Sequence, residues 1–513
     1  MRTTYALKNM LSSLSSHFVS MLLGFISQAI FVRTLGSEYL GINGLFSNIV
    51  SMLAVVELGI GSAIVYNLYK PIAEKDKETV KTLMSFYKRC YRVIAIIISV
   101  IGLLIIPFLK IIVGETTIQE STILIIYLLF IIDTVCSYLL TYKRSMLYAN
   151  QRNYIIDIIH ILYLFILNAI QIIILLTTKN YILYLSFKIL MRLLENIVIT
   201  IVVNKQYSFL LDKDIKKIDK ITLNEIIKKV KGLIVHKIGV FLVAGTDNII
   251  ISSFLGVATV GIYSNYYMII NAISTIVNQI FSSFKASIGN LLVTSNAEKN
   301  YDVFRKLQFI NFWFAMFSSI GEFIVMESFI KVWVGEEYIL PRLVLMVLCI
   351  NNYVYITKLC SSNFKEAAGI FYEDRIIPII ESIVNIVFSI IFLKIFGLAG
   401  VFMGTICSNL ITHIYTYPKF IYGKLFKKKY SQYFKDTGKY FIITLILAII
   451  TYLISEIIKV NNDILQIVIR VLLVVIVPNL LVILLFHKTN EYKYFYGLAI
   501  EQIRKEKNKW NKT

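Results

Sequence analysis

Charged residues are scarce in this chain of 513 residues: Asp, Glu, Lys and Arg together make up 16% of it, against roughly 25% in soluble globular domains. Hydrophobic residues reach 57% and the mean hydropathy is +0.73, more apolar surface than a water-soluble fold can cover. Cysteine is scarce as well. The five cysteines (Cys90, Cys136, Cys349, Cys360, Cys407) are odd in number, scattered and set inside apolar runs. That pattern excludes a disulfide framework and carries no metal-ligand spacing. No Gly-rich phosphate loop occurs, so nothing points to ATP hydrolysis. The first ten residues are polar, and the apolar run after them lacks a small-residue cleavage site and is long enough to span. No cleavable signal peptide is therefore expected.

What the chain does have is a series of long apolar runs, about fourteen in number. They lie near 11–35, 40–69, 90–112, 121–142, 153–178, 181–204, 233–256, 260–288, 305–331, 341–361, 376–396, 398–421, 439–459 and 465–487. Each is long enough to cross a ~30 Å hydrocarbon layer as a helix rising ~1.5 Å per residue. With the N-terminus placed inside, 42 of the 52 Lys and Arg fall in inside segments, seven outside, and three within helices. That asymmetry predicts cytoplasmic termini. The net charge of +21 is then a topology signal with a secondary attraction to anionic lipid heads, and nucleic-acid binding is disfavoured. Outside loops are short, none above about ten residues. The longest inside segment, 205–231, reads as a solvated linker with an amphipathic helix on the membrane surface.

The stretch Phe31 to Asp76 organises the rest. A Gly-bounded turn from Arg33 to Gly41 joins two apolar runs, which predicts an antiparallel helical hairpin. Leu35-Gly36 with Gly41-Ile42 returns as Leu255-Gly256 with Gly261-Ile262, and Ala73-Glu74-Lys75 returns as Ala297-Glu298-Lys299. A hairpin used twice in an apolar chain predicts two homologous halves. The expected organisation is 1–204 as one lobe, 205–232 as a cytoplasmic linker, 233–421 as a second lobe, and 422–513 as two added helices with a basic tail.

Polar groups inside the runs are the candidates for function. In 181–204, Lys188, Arg192 and Glu195 fall within about 60° of one helical face. An unpaired charge near Arg192's depth costs at least ~2.5–3.5 kcal/mol. A cationic site for an anionic substrate is one reading. The other is an internal Arg192–Glu195 salt bridge, which leaves Lys188 without a local acid. In 260–288, Ser264, Asn271, Ser274, Thr275, Asn278, Ser282 and Lys285 project within roughly a 100° arc, too polar for packing alone. A similar stripe in the first run (Ser13, Ser16, His17, Ser20, Gly24, Ser27, Gln28) fits a cavity wall and interhelical packing equally well. Asp133, Ser137 and Arg144 are expected on one face and His236 and Asp247 on another, while Asp157 and His160 are each expected to be charge-paired structural groups. Glu57 lies opposite Asn48 in its run. Asp247, His236, Glu57 and Asp133 are the candidates for a coupling proton or sodium ion.

The motifs Arg33-Thr34-Leu35-Gly36, Tyr39-Leu40-Gly41-Ile42 and Glu57-Leu58-Gly59-Ile60-Gly61-Ser62-Ala63 resemble those of the Wzx-type oligosaccharide flippases. These flippases belong to the multidrug/oligosaccharidyl-lipid/polysaccharide exporter superfamily. Ser137-Tyr138 through Arg144, and Thr246-Asp247-Asn248 followed by Gly261-Ile262-Tyr263-Ser264-Asn265-Tyr266, extend the match over nearly the whole chain. The resemblance implies an all-α polytopic membrane protein of about 14 transmembrane helices, with two six-helix lobes in a V plus two extra C-terminal helices. It also implies movement of a polyprenyl-pyrophosphate-linked oligosaccharide from the inner to the outer leaflet of a bacterial plasma membrane, for capsule or exopolysaccharide assembly. Alternating access would serve a cavity lined by the first two helices of each half, with no enzymatic step and no cofactor beyond a coupling ion. Lys188, Arg192, Glu195, His17, Asn271, Asn278, Lys285, Arg144 and Arg33 are the expected substrate contacts. Membrane lipids, a polysaccharide polymerase and export proteins are the expected partners. The lipid II flippases of the superfamily carry basic residues within the first helix. Here the corresponding positions are Met21 and Ser27, which turns the reading toward a capsule-type repeat unit. The alternatives are a lipid II flippase, a cation-coupled drug exporter with an acidic aromatic cavity, and a membrane glycan polymerase, which would usually show a long outside loop bearing catalytic groups.

Overall fold

A computed structural model describes residues 2–57, 60–212, 245–371 and 373–510. Those residues form helices and no strand. In the first part of the chain these are α1 (Arg2–Leu53), α2 (Ile60–Ala73), α3 (Lys77–Ile105), α4 (Glu120–Leu139), the short α5 (Arg144–Ala149), α6 (Asn153–Thr178) and α7 (Tyr181–Gln206). After a helical stretch at 245–255 come α8 (Val257–Ser283), α9 (Lys285–Thr294), α10 (Ala297–Trp333), α11 (Arg342–Ala367), α12 (Ile377–Phe396) and α13 (Leu398–Ile411). A π-helical segment, Thr412–Leu425, carries Pro418 and continues α13. The chain ends with α14 (Tyr430–Ile457), α15 (Asp463–Phe486) and α16 (Asn490–Trp510).

Among the described residues, ten helices are long and apolar enough to cross a membrane. About fourteen are expected from the sequence, and the difference has physical causes. The first two runs lie on either side of the break at Gly36 and together make up the single stretch Ser15–Leu53 within α1. α7 carries Lys188, Arg192 and Glu195 within two turns, and α8 carries Asn265, Asn271 and Asn278, so neither is apolar enough to count. The run 233–256 lies partly outside the described residues. The run 40–69 is not a single helix. It breaks into a 3₁₀ turn at Ala54–Glu57 before α2 begins. The Tyr91 hydroxyl donates to Glu57 Oε1 there at 3.0 Å.

The hairpin of the first repeat is formed at Gly36, whose φ of 84° and ψ of −177° interrupt α1. Tyr181 shows that the chain reverses there. Its ring contacts Phe31 (5.3 Å between centroids) and Tyr39 (5.5 Å), and its hydroxyl donates to Asn43 Oδ1 at 3.1 Å. A straight helix would separate Phe31 from Asn43 by ~18 Å. Gly256, the matching glycine of the second repeat, also has a positive φ, 80°, a conformation that only glycine adopts without strain. The two repeated turns then meet reciprocally. A Cβ on Gly41 would lie 1.9 Å from the Val257 carbonyl oxygen, and one on Gly261 would lie 1.9 Å from the Ser37 carbonyl oxygen.

The chain divides into two compact units, Met1–Ser264 and Asn265–Thr513. The division falls inside α8, whereas 213–244, which takes in most of the expected linker, lies outside the described residues. In the first unit, Tyr87, Tyr91, Ile94 and Ile98 of α3 pack with Leu53, Ile64, Leu68 and Ile199. α1 runs beside α6, where Asn9 Nδ2 donates to the Gln151 carbonyl at 2.9 Å and Ser12 donates to Asp157 at 2.7 Å. In the second unit, one core gathers Phe304, Phe364, Tyr422 and Phe426. A second joins α10 to α14 and α15 through Phe309, Phe312 and Phe486, with Tyr440 stacked 4.4 Å from Phe312. Large aliphatic side chains stay exposed along α12 (Ile379, Ile383, Val387, Ile391, Ile395) and α15, as lipid-facing surfaces require and soluble monomers avoid.

Candidate functional site

The cationic face of α7 is neutralised across the helix packing. Arg192 Nε lies 2.5 Å from Asp133 Oδ1 and Arg192 Nη2 lies 3.3 Å from Asp133 Oδ2, so α4 supplies a two-pronged acceptor. Lys188 Nζ reaches the same carboxylate at 3.4 Å and sits 5.4 Å over the Phe130 ring. Arg192 is about 17 Å from the start of α7 and about 21 Å from its end, which places the pair near mid-membrane. The Arg192–Glu195 bridge that the sequence left open as one of two readings is not formed, and Lys188 meets Asp133. Asp133 therefore serves two cations where the sequence reading made it a coupling site.

Glu195 turns instead to two other helices. Arg144 Nη2 lies 3.1 Å from its Oε2, and His160 Nδ1 lies 2.9 Å from its Oε1. Arg144 also donates to Asn196 Oδ1 at 2.9 Å, and Asn196 Nδ2 donates to the Cys136 carbonyl at 3.3 Å. His160 stacks on Tyr163. The expectation that Arg144 shares a face with Asp133 and Ser137 is corrected. α4 ends at Leu139, a 3₁₀ turn at Thr141–Lys143 intervenes, and Arg144 opens α5 with a new direction. His160 is paired with Glu195, and Asp157 accepts from Ser12.

Three basic side chains, Lys188, Arg192 and Arg144, thus meet two carboxylates in neighbouring clusters across α4, α5, α6 and α7. The acids are the covered members: the Glu195 side chain is 1% exposed and Asp133 13%. The cations keep an open edge, at 26% for Lys188 and 28% for Arg192. Such a site can accept a further anion on its cationic side without displacing the carboxylates.

The remaining candidates are placed as follows. His17 and Arg33 are exposed on α1, and Glu57 and Asp247 are half-buried. His236 lies outside the described residues. Asn271 and Asn278 are exposed on α8, but the polar arc is not continuous. Ser274 is buried and donates to Asn352 Oδ1 at 2.6 Å. Lys285 falls beyond the end of α8 and pairs with Glu366. Sequence reasoning missed a second charged cluster, in which Lys358 on α11 reaches Glu381 on α12 at 3.4 Å and Asn409 on α13 at 2.8 Å. Lys365 pairs with Asp374, which also accepts from Thr416 at 2.8 Å. Lys358 inside one apolar run and Glu381 inside the next were the available signal. Among the described residues no group of His, Cys, Asp and Glu could hold a metal ion.

Residues 6–284, more than half of the chain, match the family described as "Polysaccharide biosynthesis protein". The chain belongs to that family. Its fold is similar to that of the lipid II flippase MurJ in an inward closed conformation, at 16% identity and a TM-score of 0.64, over 93% of this chain and 99% of that one. It is also similar to an inward-facing multidrug resistance MATE family transporter of the MOP superfamily, at 14% identity and a TM-score of 0.60, over 78% of this chain and 94% of that one. A mutant of the Vibrio cholerae MATE transporter VcmN is similar at 14% identity and a TM-score of 0.51, over 80% and 94%. At these identities the likeness is one of fold. No curated protein sequence matches the chain. Family and fold make this a polytopic, all-helical membrane protein.

Proposed function

We propose that this protein flips a polyprenyl-pyrophosphate-linked oligosaccharide from the inner to the outer leaflet of a bacterial plasma membrane, for capsule or exopolysaccharide assembly. The observation that carries the reading is that Lys188 and Arg192 share one carboxylate at mid-membrane depth while keeping an exposed edge. The pyrophosphate supplies the missing negative charge. Arg192 offers it a planar fork and Lys188 a mobile point charge. Arg144 and Glu195 behind them hold α7 in place. A net-positive site favours this cargo over the cationic drugs that an acidic cavity would take. Both termini face the cytoplasm in this reading, and polymerase and export proteins receive the flipped unit.

Deletion of the gene followed by analysis of lipid-linked glycan tests the proposal. Accumulation of the linked oligosaccharide on the inner leaflet supports it. Normal delivery to the outer leaflet contradicts it.

A further inference from the structure

Glu322 lies on α10 about 16 Å before its end at Trp333, half-way through a ~30 Å hydrocarbon layer. Its side chain is buried, with the residue 3% exposed. One carboxyl oxygen, Oε1, accepts from Asn352 Nδ2 of α11 at 2.6 Å. The other, Oε2, is buried and has no hydrogen-bond partner.

No cation answers it among the described residues. On α11 the near titratable group is the Cys349 thiol, and Arg342 pairs with Glu327 and Glu456. From α15, Arg470 turns to the Ile324 carbonyl at 3.2 Å and the Ser328 hydroxyl at 2.7 Å. α14 brings the neutral hydroxyls of Tyr440 and Tyr452, and the Tyr452 hydroxyl accepts from Arg342. From α16, Glu491 is paired with Arg305. Lys331 lies further along α10 and pairs with Glu336 and Asp463.

A carboxylate with one buried, unpartnered oxygen and no cation cannot be held ionised at this depth. In this conformation Glu322 therefore carries a proton. The partner of that partner shows how the proton could be lost. Asn352 Oδ1 accepts from Ser274 Oγ at 2.6 Å, and Ser274 belongs to α8 between the exposed Asn271 and Asn278. Ser274, Asn352 and Glu322 thus form a hydrogen-bonded chain that ends beside two exposed positions of α8.

We propose that Glu322 is the protonation site through which a proton gradient drives the transport cycle, an inference that rests on the flippase reading. The carboxyl takes a proton from water on one side when hydrated. It carries it as a neutral acid while the chain of hydrogen bonds is closed, and returns it to water on the other side. No reactant besides water and the gradient is needed.

The test uses the full-length protein in vesicles of phosphatidylethanolamine and phosphatidylglycerol, with a fluorescent polyprenyl-pyrophosphate oligosaccharide and a pH-sensitive dye. Glu322→Gln keeps an oxygen for the Asn352 amide but cannot ionise. A gradient of one pH unit biases a proton step about tenfold. Wild-type flipping should respond to it, and Glu322→Gln should bind substrate yet show no response. Glu322→Asp, which keeps an acid, should retain a response and covers the case in which the Gln variant does not fold. A Gln variant with the wild-type gradient response, or wild-type flipping that ignores the gradient, overturns the assignment. A wild type that moves no oligosaccharide overturns the flippase reading instead. The proton site is then judged by infrared difference spectra of wild type against Glu322→Gln: a neutral-carboxyl band at neutral pH supports it, and a carboxylate band alone contradicts it.

Discussion

Arg192 and Asp133 form a two-pronged ion pair between α7 and α4, with Nε–Oδ1 at 2.5 Å and Nη2–Oδ2 at 3.3 Å. Because Lys188 shares the same carboxylate, the acid is the scarce member of the cluster. Removing a cation and removing the acid should therefore have opposite consequences for anion binding.

Asp133→Asn leaves two cations without their carboxylate. Loss of one partner of a buried pair costs about 3–5 kcal/mol, and the partial exposure of the cations here puts the expected loss toward the lower end. Thermal unfolding in detergent should show a lowered midpoint, and added pyrophosphate should restore part of it. A midpoint that pyrophosphate leaves unchanged would count against an anion site.

The reciprocal contact of the two turns predicts a steric effect with a clear control. Gly41→Val or Gly261→Val drives a side chain into a backbone carbonyl. Overpacking of this kind costs about 1–3 kcal/mol. Gly44→Ala meets the Ser264 hydroxyl at 2.9 Å, a group that can rotate away, and should be milder. Equal melting temperatures for all three variants would refute the close packing of the repeats.

Accessibility separates the wet from the packed part of α8. Cysteines at Asn271 and Asn278 should react with small water-soluble thiol reagents, while one at Ser274, buried against Asn352, should not. A reactive Ser274→Cys beside two silent positions would reverse the assignment of the faces.

Orientation can be read with the same chemistry in intact cells. Asn461, in the turn between α14 and α15, and Lys488, after α15, are both exposed. An impermeant reagent should label a cysteine at Asn461 and miss one at Lys488. The opposite pattern would invert the topology drawn from the basic residues.

The sequence made the helical, polytopic character legible because apolar runs and the Lys/Arg bias are local signals. The doubled Leu-Gly turn was legible too, and the structure adds that Gly36 and Gly256 both have positive φ there. The pairing of Arg192 was not. Its true partner lies 59 residues away on α4, while the nearby Glu195 looked sufficient. Which of two acids a cation meets depends on how helices face one another, and periodicity within one helix carries no such information. Arg144 was misplaced for a related reason: extending α4 through Leu140 kept the 100° count running across a break. Glu322 escaped notice because a lone acid in an apolar run says nothing of its partners until Asn352 and Ser274 are brought to it by packing.

The central claim is that Lys188 and Arg192 receive the pyrophosphate rather than merely tie α7 to α4. The measurement that tests it is the flipping of a polyprenyl-pyrophosphate oligosaccharide by purified protein in vesicles, for Arg192→Ala, Arg192→Lys and the pair Arg192→Ala/Asp133→Ala. Arg192→Ala should abolish flipping in a folded protein, and Arg192→Lys should keep part of it, since charge survives without the fork. The double variant should stay inactive, since removing the acid relieves the unpaired charge but restores no anion site. A double variant as active as wild type beside an inactive Arg192→Ala would contradict the claim.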